Sequence, residues 1–186
     1  MTPPPFSSPP QAGCFLFLGD NREVTPESFD FPQVTRLTAG AVGPPGGRTF
    51  YLQIGQREQL VSLVLEKEQL RLLAERLQEL LPAETPEAEA RRNMSLKEPL
   101  VAAWRIGTMT LAYDEEEKRF EVSLLELVEE GKPAATGHFE ATASQMQSLA
   151  GQALAVVAAG RPPCPLCSGP IDHDGHVCPR LNGHYT

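Results

Sequence analysis

Hydrophobic and polar positions alternate in the first patterned stretch of the chain and then change period. VTRLTAGAV and RTFYLQI flank a PPGG stretch, which predicts two strands around a tight Pro/Gly turn. In the second strand Phe50, Leu52 and Ile54 fall on one face, as a half-buried strand requires. Val61, Leu63 and Leu65 continue the alternation against Ser62 and predict a third strand. The period then becomes helical: Leu70, Leu73, Leu77, Leu80 and Leu81 form an apolar stripe that Pro82 ends. The charged, aperiodic ETPEAEARRNMSLKEP that follows reads as a linker over about 83–98.

The plan then repeats. LVAAWRIGTMTLAY and KRFEVSLLELVEE predict two strands joined by the acidic turn Asp114–Glu117, and ATGHFEATA predicts a short third. Ser144 and Gln147 have the S-x-x-Q spacing of a capping box. The helix behind it buries Met146, Leu149, Ala150, Ala153, Val156 and Val157, and Gly160 closes it before Pro162 and Pro163. The expected fold is α+β: an antiparallel sheet built from two strand-strand-strand-helix halves, with the helices on one face. Residues 1–32 are proline-rich and aperiodic, expected to be a flexible arm, with order beginning near Val34. Residues 33–160 form the expected core domain and 161–186 a metal-binding knuckle.

Composition narrows the function classes. A chain of 186 residues suits one domain with an appendage. Its net charge of -8 argues against non-specific binding to nucleic acid or an anionic membrane, which needs a basic surface. No stretch is long and apolar enough to cross a bilayer. QAGC at Cys14 lacks the basic and apolar segments of a lipidation signal. Of the four cysteines, three crowd into a C-x-x-C…C arrangement, which in a reducing compartment reads as metal or redox chemistry. The expected location is therefore the cytoplasm.

That arrangement is the strongest chemical signal. In Cys164-Pro-Leu-Cys167-Ser-Gly169, two thiolates are spaced to grip one ion, and the glycine permits the bend beyond the second sulfur. Cys178-Pro-Arg-Leu181-Asn-Gly183 repeats the grammar with Leu181 in place of a fourth cysteine, so one ligand must come from elsewhere. His173, His176, His184 and Cys14 are the candidates. His176, two residues before Cys178 and just after Gly175, is taken first, and His184 second. The expected set is Cys164, Cys167, His176 and Cys178 around a structural zinc. A redox C-x-x-C usually opens a helix, whereas prolines flank Cys164 on both sides. Three thiolates also make a poor Lewis acid, and the H-x-E half of the deaminase pattern is missing upstream of PCPLC.

Other candidates are weaker. Gly40, Gly43, Gly46 and Gly47 with Arg48 suggest a phosphate cradle but match no nucleotide fingerprint, so a hairpin turn is the plainer reading. His138 and Trp104 read as structural. Arg48, Arg105, Arg161 and Arg180 are possible anion contacts, provided they converge. Two function classes follow. One is a binding or adaptor protein whose zinc knuckle serves a partner protein. The other is an enzyme or an anion- or nucleotide-binding protein, taking a small phosphorylated ligand in a pocket between sheet and tail.

Five segments, AGAVGPPGGRTFYLQ, LEKEQ, RIGTMTLAYDE, VVAAGRPPCPLC and GHVCPRLNG, carry a resemblance to a bacterial, mainly actinobacterial family, domain of unknown function family 3090. It runs from about Phe29 to Gly183 and implies no established activity. The family ending is close to GHxCPRxNG followed by an aromatic residue. His176 and Cys178 match it, whereas His184 stands where tyrosine is more common, so the resemblance favours His176 as the ligand.

Overall fold

The computed structural model describes residues 27–83, 85, 94–160, 164–167, 171 and 176–181. Among the described residues there are seven strands and two helices, and six of the strands with both helices follow the order that the two halves predict. The first half contains β2 (Arg36–Val42), β3 (Thr49–Gln56), β4 (Gln59–Leu65) and α1 (Lys67–Leu80). The second contains β5 (Ile106–Asp114), β6 (Arg119–Glu126), β7 (Thr136–Thr142) and α2 (Ala143–Ala158). A short strand, β1 (Phe29–Phe31), precedes both.

The strands form two ladders, β2-β3-β4 and β1-β7-β6-β5. Within each half the pairing is antiparallel, through hairpins. Gly43 at φ 110° and Gly46 at φ 92° make the β2–β3 turn, in a backbone region that side chains with a Cβ avoid. The ladders meet where Val64 bridges Arg105 in parallel. There Val64 N–H donates to Trp104 O at 3.0 Å and Ala103 N–H to Ser62 O at 2.8 Å. The combined sheet is thus mixed, and the expectation of a purely antiparallel sheet is corrected. A parallel neighbour requires a crossover, and α1 with the segment after it supplies one between β4 and β5.

The second parallel pairing corrects the expected arm. Residues 1–26 of that arm lie outside the described residues, but Phe29–Phe31, expected within it, form a strand: β1 lies alongside β7 with Phe29 opposite Gly137 and Phe31 opposite Phe139. FDF is too short to show a period, but Phe31 is only 2% exposed and joins the core. The Phe29 ring stacks near Trp104, centroids 6.1 Å apart, and Trp104 Nε1 donates to Glu27 O at 3.2 Å.

One apolar cluster unites the alternating residues of both ladders with the inner faces of both helices. α1 contributes Leu70, Leu73, Ala74 and Leu77, and α2 contributes Met146, Leu149, Ala150 and Ala153. Each such leucine stabilises the fold by about 1.5–3 kcal/mol relative to an exposed one. The α2 capping box lies two residues earlier than predicted: Thr142 is the N-cap, and Gln145 Oε1 accepts from its N–H at 2.9 Å. The sequence T-A-S-Q holds the same spacing as S-Q-M-Q, and the end of β7 at Thr142 selects the earlier one. Gln145 Nε2 also reaches Val34 O at 2.8 Å, which ties α2 to the approach of β2.

The expected linker does more than connect. Its described part, from Met94, lies over the face of β2–β4 opposite the helices. Thr38 Oγ1 donates to Met94 O, and Gln53 holds the Lys97 backbone twice, accepting from its N–H at 2.8 Å and donating to its carbonyl at 2.9 Å. A Cβ on Gly40 would come within 2.6 Å of Leu96 Cγ, so only glycine lets that leucine seat there. This is why Thr38, Gln53 and Ser62 are buried on a face whose residue types predict solvent.

Gly137 is a further close approach: a Cβ there would lie 2.4 Å from the Phe29 ring. Gly137→Ala should push Phe29 off Trp104 and destabilise the fold by about 1–3 kcal/mol, as overpacking does. Trp104 is the chain's one tryptophan, so its emission reports the change directly. A red shift is expected, with a lower denaturation midpoint; unchanged emission would place β1 elsewhere.

Candidate metal centre

Beyond α2, the described residues of the tail gather around four side chains. Pro165 and Leu166 turn the chain between the first two cysteines, and Leu166 N–H points at Cys164 Sγ at 3.4 Å. His176 and Cys178 complete the cluster, and Pro179–Leu181 form a single 3₁₀ turn just past it. Proline has no N–H to lose at the start of such a turn, so Pro179 suits its place.

The ligand atoms of Cys164, Cys167, His176 and Cys178 all lie within 4.8 Å of one another. Cys164 Sγ and Cys178 Sγ are 3.9 Å apart, and Cys167 Sγ is 3.3 Å from His176 Nε2. A tetrahedral ion with metal–sulfur bonds of about 2.3 Å spaces its sulfurs about 3.8 Å apart. A disulfide would need about 2.05 Å. The spacing is therefore that of ligands around an ion, and none of these three cysteines is in a disulfide. Cys164 is 2% and Cys178 0% exposed, so two of the sulfurs are screened from water.

The electrostatics fit a cation. Burial pushes the Cys164 thiol up. The N–H groups of Cys167 and Leu166 and the neighbouring sulfurs of Cys167 and Cys178 outweigh that and hold it below the ordinary thiol value. A thiolate held among sulfurs calls for positive charge. The His176 ring presents Nε2 to the sulfurs and buries Nδ1 with no hydrogen-bond partner among the described residues. That burial is costly for a histidine that serves only packing. These four residues could hold a metal ion, and no fourth cysteine is needed.

The other predicted site residues separate. Arg48 and Arg105 line one cavity of about 440 Å³, together with Lys67, Glu66 and Gly160. Arg180 is exposed in the 3₁₀ turn and does not line it. Arg161, His173, His184 and Cys14 lie outside the described residues. The cavity opens among the β2–β3 turn, the end of β4, the start of α1 and the end of α2, and no described knuckle residue lines it. Lys67 was not singled out by sequence reasoning. The available signal was its place at the first residue of the helix that follows β4.

His138 Nδ1 lies 3.1 Å from Asp30 Oδ1 across the β1–β7 pairing, and Trp104 is packed in the core, so both serve structure as predicted. Asp114 Oδ1 accepts from the N–H groups of Glu116 and Glu117 at 2.8 and 2.9 Å, an ordinary tight turn. No helix among the described residues is long and apolar enough to cross a membrane.

Fold and site together define an α+β protein with a cluster of three cysteines and one histidine able to hold a metal ion. The chain belongs to the family described as Protein of unknown function (DUF3090), which matches residues 29–178. No curated protein and no solved structure matches it. The match ends at Cys178, so all four clustered residues fall inside it.

Purified under gentle conditions, the protein should carry about one equivalent of metal, as a single four-ligand site requires. Losing a partner that only supports a ligand typically weakens a site about ten- to hundredfold. Cys167→Ser and His176→Ala should each exceed that in a chelator competition assay, and His184→Ala should leave retention nearly unchanged. The reverse order for the two histidines would make His184 the ligand.

Proposed function

We propose that this chain is a cytoplasmic, non-enzymatic binding protein whose C-terminal knuckle is closed by a structural zinc ion and presented to a partner protein. The observation that carries the reading is the donor set. Three sulfurs and one imidazole nitrogen within 4.8 Å fill all four positions of a tetrahedral site, leaving none for water or substrate. Zinc suits thiolate and imidazole together and is the usual ion of a closed site of this kind. Thiolate ligands persist best in a reducing compartment, which supports the cytoplasmic placement.

Two exposed apolar side chains support the partner. Leu166 sits between the first two cysteines and is 43% exposed; Val177 sits between His176 and Cys178 and is 56% exposed. A zinc ion that fixes the flanking ligands would also fix these two side chains. Rigid apolar side chains lose less entropy on docking than mobile ones. The acidic balance of the chain supports a protein partner over a nucleic acid.

Chelation tests the structural role. The core has its own cluster of buried side chains, to which no described knuckle residue belongs. A chelator should therefore leave the far-UV spectrum largely intact while residues beyond Gly160 become open to protease. Global unfolding on chelation would make metal and core one cooperative unit. Comparative enrichment from the native host tests the partner: a protein retained by wild type should be lost with Leu166→Asp/Val177→Asp at equal metal content. Identical retained proteins would remove the adaptor role.

A further inference from the structure

The cavity of about 440 Å³ at the start of α1 lies apart from the knuckle and has a chemistry of its own. Three elements bring a cation to it. Arg48 follows the β2–β3 turn, Lys67 opens α1, and Arg105 stands just ahead of β5. The carboxylate in the lining is Glu66, which already pairs with Arg105. Arg48 and Lys67 make no ion pair among the described residues. Elsewhere on α1, Arg71 pairs with Glu68 and Glu75, and Arg76 with Glu79. A chain with 24 acidic residues and a net charge of -8 thus has, among its described residues, a concave place with a positive surplus. Like charges gathered in a cleft repel one another and focus a field that an anion relieves. The positive end of α1 adds to that field.

The walls are shaped to keep the cations there. Gly160, two residues past α2, is in the lining, and a Cβ at that position would lie 3.0 Å from Lys67 Nζ. The Lys67 ammonium thus rests against the backbone just past α2. Gln69 fixes the start of α1 from behind: its Oε1 accepts from Glu66 N–H at 2.8 Å and its Nε2 donates to the carbonyls of Ile106 and Gly107 at 3.2 Å. The backbones carrying Lys67 and Arg105 are thereby tied together. Phe50 and Leu65, both buried, form an apolar floor, and the cavity falls within the usual range for small-molecule sites, roughly 300–1,000 Å³.

We infer that this cavity binds the phosphate group of a small phosphorylated organic ligand, with Arg48, Lys67 and Arg105 contacting the phosphate and the floor of Phe50 and Leu65 accepting the organic part. Two guanidiniums and an ammonium offer charge-assisted hydrogen bonds to the phosphate oxygens. The inference is independent of the metal reading, because no described knuckle residue lines the cavity.

The test is calorimetric titration of the full-length, metal-containing protein with three probes at matched ionic strength: a nucleoside monophosphate, its nucleoside, and inorganic phosphate. The monophosphate should bind and the nucleoside should not. Inorganic phosphate should bind more weakly; equal affinity would reduce the site to one for free phosphate and overturn the assignment of an organic part. Arg48→Gln and Lys67→Gln should each weaken the monophosphate about ten- to hundredfold, the effect of one charge-assisted hydrogen bond. Arg48→Lys, which keeps the charge, should recover part of the affinity, and Lys132→Gln, on a distant turn, should change nothing. Binding that is equal in wild type and the Arg48→Gln/Lys67→Gln double variant, or no binding of either phosphate-bearing probe to wild type, would overturn the inference.

Discussion

Two hydrogen bonds fasten one half of the molecule to the other: Ala103 N–H to Ser62 O and Val64 N–H to Trp104 O. The rest of the architecture depends on this short parallel stitch. It sets Trp104 into the core, where β1 packs on it, and it places Arg105 beside Glu66 at the mouth of the cavity. It also brings the carbonyls of Ile106 and Gly107 within reach of Gln69, so the start of α1 is held to the second half. Without the stitch the ladders β2-β3-β4 and β1-β7-β6-β5 would be two separate sheets. With it, the helices share a single core and the cavity has all of its walls.

A second constraint acts on the opposite face. Gln53 is fully buried and satisfies both ends of its amide on the backbone of Lys97, with Ser62 Oγ as a further partner at 3.0 Å. An amide used in this way does what a neighbouring strand would do, offering one donor and one acceptor to a chain that forms no ladder itself. Leaving such a group buried without partners costs about 1–3 kcal/mol, so Gln53 and the Met94–Lys97 segment require each other. The face is polar in composition yet closed to water.

That face marks where the sequence was and was not legible. The alternation of Phe50, Leu52 and Ile54, the stripe of Leu70, Leu73 and Leu77, and the doubled strand-strand-strand-helix order are local patterns. They correspond to the observed elements because burial on one side imposes a period. Gln53 lies on the other face, and nothing nearby announces the segment 44 residues away that covers it. The parallel pairing of β1 fails for the same reason: its partner is 108 residues distant, and three residues carry no period. The cysteine and histidine cluster was legible because its spacing is local, all within Cys164–Cys178. The basic cavity was legible only in part. Arg48 and Arg105 stood out as cations, but their meeting with Lys67 depends on the stitch.

β1 has a consequence beyond its contribution to the core. β7 would otherwise end the sheet with an open row of backbone donors and acceptors, the kind of edge that recruits strands from other molecules. Three residues of β1 occupy Gly137–Phe139 and leave a short border in its place, with Asp30 exposed on it. A chain started at Val34 would keep both hairpin sheets and both helices but would lose this cover. Its weakness would then be double: the core would lose the buried Phe31 ring, and molecules would pair edge to edge through β7.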